Sequence, residues 1–93
     1  MDSKTFLRVA KALGDGRRLE ILDRIAAAKG EISCVDVREA INISKTMMSH
    51  HIKELVAAGL IEARRESRYQ YLRMQKEVWR EYLRRLRNIG SAR

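Results

Sequence analysis

The apolar residues of this chain keep one period for most of its length, abandon it once, and return to it. Up to Ala58 they recur at three- and four-residue spacing. Over Leu60–Met74 they alternate with polar residues, and from Lys76 to Ile89 the helical spacing resumes. A chain patterned in this way is mainly α with one small β-hairpin, in the order four helices, two strands, one helix. At 93 residues it suits a single domain, 1–93, and is too short for a TIM barrel or a two-domain Rossmann enzyme. No repeat, low-complexity stretch or linker divides it.

Helix ends are marked by residue type. There is no proline, and Gly14, Gly30 and Gly59 each follow a helix-like stretch, where a left-handed residue costs glycine little. The first helix is predicted from Ser3 to Leu13, with Phe6, Leu7, Ala10 and Leu13 on one stripe. Asp15 caps a second helix reaching Lys29, with Leu19, Leu22, Ile25 and Ala26 inward. Ser33, with Asp36 three residues on, fits a capping pattern for a short third helix that ends at Ile41–Asn42. Ser44 caps a fourth, reaching Ala58, with Met48, Ile52, Leu55 and Val56 inward. Glu66-Ser67 makes the hairpin turn, and the last helix carries Val78, Trp79, Tyr82, Leu83, Leu86 and Ile89 on one face.

Charge narrows the partner. Residues 1–43 hold eight basic and seven acidic side chains; residues 44–93 hold twelve and five. Nearly all of the net +8 therefore lies in the second half, which points to a polyanion, nucleic acid first and an acidic membrane second. No apolar run approaches the roughly 20 residues of a membrane span, and no signal-peptide core opens the chain. With one cysteine, Cys34, no intrachain disulfide forms, which fits a reducing cytoplasm. Cys34 reads as a small core residue or as a redox-active thiol. Paired carboxylates, a Cys–His dyad and a glycine-rich phosphate loop are all missing from the motifs, so the chain is not expected to be an enzyme.

A short helix, a turn of about three residues and a longer basic helix form a helix-turn-helix. On the fourth helix, Thr46, Met47, His50 and Lys53 point away from the core stripe, Ser49 lies at the flank, and Lys45 projects from the first turn. Hydroxyls, an ammonium and a thioether on an exposed face suit base edges in a major groove, although an ordinary solvated face has the same spacing. The hairpin carries Arg64, Arg65 and Arg68 around its tip. A basic ribbon beside a helix-turn-helix has the form of a wing that lies along phosphates or enters a minor groove; the alternative is surface pairing with Glu62 and Glu66. His51, at the edge of the core stripe, reads as a buried structural histidine.

Three stretches then resemble the ArsR/SmtB family of winged helix-turn-helix transcriptional repressors. Ala12-Leu13-Gly14-Asp15-Gly16-Arg17-Arg18-Leu19-Glu20-Ile21-Leu22 is similar to its opening signature. Ser44-Lys45-Thr46-Met47-Met48-Ser49-His50-His51-Ile52-Lys53 resembles its recognition helix, and Arg64-Arg65-Glu66-Ser67-Arg68-Tyr69-Gln70-Tyr71-Leu72 its wing. The family's metal sensors carry Glu-Leu-Cys-Val-Cys-Asp-Leu on the third helix. The aligned stretch here is Glu31-Ile32-Ser33-Cys34-Val35-Asp36-Val37, with both ligand cysteines replaced, and Lys76–Arg93 lacks the histidine and aspartate of the family's other site. No metal and no cofactor are therefore expected, and the effector, if one exists, is left open. The wing turn has Ser67 where the family often has glycine, a cost of about 1 kcal/mol if that position is left-handed.

The resemblance implies a homodimer formed by the first and last helices, through Phe6, Leu7 and Ala10 with Val78, Trp79, Tyr82, Leu83 and Leu86. Such a stripe left uncovered would be a large exposed patch. The reading is a cytoplasmic, dimeric, sequence-specific repressor of double-stranded DNA that occupies an inverted repeat. A non-specific nucleoid protein and a protein-interaction winged helix share the same features.

Overall fold

In the structure, a computed structural model that describes residues 1–91, five helices and three short strands follow one another. They are α1 (Ser3–Ala12), α2 (Gly16–Ala27), β1 (Ile32–Ser33), α3 (Cys34–Ile41), α4 (Lys45–Ala57), β2 (Ile61–Glu66), β3 (Tyr69–Met74) and α5 (Lys76–Ser91). The first four helices each start on a side chain that accepts a backbone N–H otherwise left without a partner. Asp2 accepts from Thr5 at 2.7 Å, Asp15 from Arg17 and Arg18 at 2.9 and 3.1 Å, Ser33 from Asp36 at 3.1 Å and Ser44 from Met47 at 3.1 Å. Each such cap stabilises its helix by about 0.5–2 kcal/mol. Asn42, at φ 52°, ends α3 in the left-handed region that a short amide tolerates.

The hairpin gains a third strand that period alone does not reveal. The sheet order is β1-β3-β2, antiparallel throughout, with Ile32 opposite Leu72 and Ser33 opposite Tyr71. Two residues are too few to show an alternation, and Ser33 serves at once as strand end and helix cap. The turn is Ser67-Arg68, one residue later than expected, because Glu66 still pairs with Tyr69. Ser67 sits at φ 58°, so the strain of a β-carbon in left-handed geometry, about 1 kcal/mol, is present.

One core gathers every element. Val9, Ile21, Ile25, Val37, Leu55, Leu60, Ile61 and Leu72 are fully enclosed, and Tyr82 of α5 closes over them. Several inward assignments shift. On α2, Leu22 and Ile25 are buried as expected, but Leu19 and Ala26 are exposed and Ile21 takes their place. On α4, Val56 faces solvent. On α1, Val9 and Ala12 are the buried pair, with Phe6, Ala10 and Leu13 at the margin. The α1 and α5 helices also pack on each other within the protomer. The Phe6 and Tyr82 rings lie 5.1 Å apart, and the Arg85 guanidinium sits 4.4 Å over Phe6.

Candidate nucleic-acid interface

The burial of Met48, His51, Ile52 and Leu55 sets the roll of α4. With that stripe turned in, Lys45, Thr46, Met47, Ser49, His50 and Lys53 are all exposed. The structure thus brings the six expected helix residues to one solvent-facing surface. Met47, at 45% exposure, is a large apolar side chain left in water on an otherwise polar face.

The angle of this helix is held by arginines that lie outside it. Arg18 donates through Nε to the Ala12 carbonyl at 2.7 Å and through a terminal nitrogen to Nδ1 of His51 at 3.4 Å, so it joins the end of α1 to the middle of α4. Arg17 donates to the last carbonyl of α3, that of Ile41, at 3.0 Å, and Arg8 to that of Ala57 at the end of α4, at 3.4 Å. Cations at helix C-termini are favoured by the helix dipole. These positioning residues escape a local reading, because their partners lie up to 49 residues away.

A guanidinium only donates, so Nδ1 of His51 accepts and the ring is neutral, with its proton on Nε2. Only 3% of His51 is exposed. Burial pushes its pKa below the ordinary 6.5, with Arg18 adding to the effect and the Asp15 carboxylate opposing it. The unfolded chain therefore takes up this proton first. The contribution of His51 to stability is full above pH 6.5 and is lost as pH falls from there toward the folded-state value. Urea unfolding at about pH 7.5 and about pH 5.5 should show the loss in the native protein and a smaller one in His51→Gln. Equal losses in both would show that His51 is not responsible.

The three wing arginines do not share one fate. Along a strand, side chains alternate between faces. Arg64 turns away from α4, where it grips both carboxylate oxygens of Glu31 at 2.6 and 2.8 Å, reaches Glu66 at 2.8 Å and lies 4.9 Å over the Tyr71 ring. Its own pKa is pushed further up, and it holds the Glu31 carboxyl below the usual carboxylate range. Of the three, Arg64 alone has its donors on carboxylates. Arg73 pairs with Glu62 at 2.7 Å across the same face. Arg65 turns toward α4, beside Ser49 and Lys53. Arg68, in the turn, rests 5.4 Å over the Tyr69 ring. Neither Arg65 nor Arg68 has an ion-pair partner among the described residues.

The residues expected at a subunit contact divide as well. Leu7, Leu83 and Leu86 are exposed, at 64%, 41% and 41%. Phe6, Ala10, Val78 and Trp79 are partly buried against the protomer's own core, and Tyr82 belongs to that core. Cys34, at the start of α3, is half-buried, and burial pushes its thiol pKa up.

The third-helix residues do not fit a metal. The Ser33 hydroxyl accepts the Asp36 N–H as a cap, Val35 offers no donor atom, and Cys34 stands alone. Among the described residues no three His, Cys, Asp or Glu side chains converge, and no helix is long and apolar enough to cross a membrane.

An exposed polar helix, seated on a helical core with a basic ribbon beside it, defines a winged helix-turn-helix DNA-binding domain. Residues 13–64 match the family model described as a helix-turn-helix domain. The chain is 37% identical over 82 residues to the uncharacterized HTH-type transcriptional regulator YceK of Bacillus subtilis (strain 168), covering 88% of this chain and 82% of that protein. It is 32% identical over 77 residues to the arsenical resistance operon repressor of Staphylococcus xylosus, covering 83% and 72%. Among solved structures it resembles the homodimeric winged helix-turn-helix DNA-binding domain Mb0332 (fragment 1–100) of Mycobacterium bovis, described as a possible ArsR-family regulator. That match has a TM-score of 0.74 at 36% identity, over 96% of this chain and 80% of that one. The chain belongs to the ArsR family of winged helix-turn-helix transcriptional regulators.

Proposed function

We propose that the chain is a single-domain, homodimeric repressor that works in the cytoplasm, without a sensing metal and without catalysis. It binds an imperfect inverted repeat, with half-site centres about 34–36 Å apart, one DNA turn, or a multiple of that. Thr46, Met47, Ser49 and His50 read base edges, Lys45 and Lys53 read or anchor, and Arg65 and Arg68 hold the backbone. Arg64 braces the wing against Glu31. Leu7, Leu83 and Leu86, with the exposed parts of Phe6, Ala10, Val78 and Trp79, meet the second subunit, while Tyr82 supports them from beneath. The observation that carries this reading is the pairing of an exposed polar α4 face with two wing arginines, turned toward the same side, that have no ion-pair partner among the described residues.

Fluorescence anisotropy against DNA from the gene's own upstream region, with a scrambled duplex as control and at two salt concentrations, tests the reading. A preference of about a thousandfold that survives the higher salt is expected. Equal binding to both duplexes, vanishing together with salt, would favour a non-specific nucleic-acid binder at this site. Arg65→Ala should weaken binding to both duplexes alike and flatten the salt slope by about one unit. An unchanged slope would remove Arg65 from the interface.

A further inference from the structure

Between α3, the first turns of α4 and the wing opens a cavity of about 410 Å³. Arg38 of α3, Lys45 and Ser49 of α4, Arg65 of β2 and Arg68 of the turn line it, together with Cys34. Like charges brought close together repel, and more strongly beside a low-dielectric wall than in open water. Four cations around one small cavity therefore oppose one another. None of the four has a carboxylate within ion-pair distance among the described residues.

The neighbouring acids are not scarce; they are used elsewhere. Glu31, Glu62 and Glu66 are all committed to Arg64 and Arg73 on the other face of the ribbon. The fold thus sorts its wing charges, neutralising one side and leaving the cavity positive. An occupant that relieves this must be compact, negative and able to accept N–H donors from several directions. A tetrahedral phosphate oxyanion has those properties.

We propose that this cavity is a phosphate-binding site whose occupant is one backbone phosphate of DNA, and that Arg38 is a DNA-contacting residue outside both the recognition helix and the wing. The assignment of the occupant rests on the DNA-binding reading above. One phosphate held there ties α3, α4 and the wing to a single point on the duplex. Arg38 donates no side-chain hydrogen bond within the protein among the described residues, so its replacement leaves the fold's own contacts in place.

Cys34 is the chain's single cysteine, so its alkylation by uncharged iodoacetamide reports on the cavity. At constant ionic strength, inorganic pyrophosphate should slow alkylation saturably, about tenfold at ten times its Kd, while chloride does not. Arg38→Gln should lose that protection. The same variant should bind own-region and scrambled duplexes more weakly by the same factor, with a salt slope about one unit shallower and their ratio unchanged. No protection, or full protection in Arg38→Gln, overturns the site. Protection with an unchanged DNA salt slope shows a site for free oxyanions and overturns the DNA assignment. If the native protein prefers neither duplex, the operator reading fails, and the pyrophosphate experiment still decides the cavity by itself.

Discussion

Replacing Ser49 and His50 together by alanine is expected to abolish most of the protein's preference for its operator. Each good base contact is worth about 1–3 kcal/mol of discrimination, and separate contacts add roughly, so the preference should fall by at least about thirtyfold. Both side chains are exposed on α4, and neither supplies a cap or a core contact, so the melting temperature should hold. Lys45, Lys53, Arg65 and Arg68 remain, so binding to scrambled DNA should change little. Anisotropy on the two duplexes separates these outcomes. If the ratio survives the double substitution, base readout lies elsewhere on the protein.

Leu72→Ala is the substitution expected to cost most in stability. Leu72 is completely enclosed and lies at the middle of β3, opposite Ile32 on one side and Ala63 on the other. Its truncation leaves a void where the sheet meets the helices, at a cost of about 2–5 kcal/mol. A small domain holds about 5–15 kcal/mol in all, so the urea midpoint should drop by a large fraction of its value. The comparison needs one protein concentration, because the stability of a dimer depends on it. Leu83→Ala, on the exposed side of α5, should move the midpoint far less at concentrations where the protomer is alone. A Leu72→Ala midpoint close to native would mean that the sheet does not anchor the core.

What the sequence made legible follows from the range of each interaction. Caps act over three residues, so local sequence alone marks Asp15, Ser33 and Ser44 as helix starts. The change of period located the hairpin within a residue or two, and the α4 surface followed from a buried stripe of only a few positions. Features set by distant partners stayed hidden. The burial of Ile21 in place of Leu19 depends on how α2 rolls, which one helix's periodicity fixes only loosely. The commitment of Arg64 to Glu31, 33 residues away, and the cavity wall at Arg38 exist only once three elements have met.

Arg18 spans the end of α1 and the middle of α4 with one side chain. In the proposed dimer, α1 is also part of the subunit contact. A shift of α1 by a fraction of an ångström would lengthen one of two hydrogen bonds that cannot both stretch freely, so α4 would follow or the guanidinium would let go. In the proposed dimer Arg18 would therefore tie any movement of α1 to the tilt of α4. If α4 reads DNA as proposed, the same guanidinium that fixes its tilt would be the shortest link from the subunit contact to the bases.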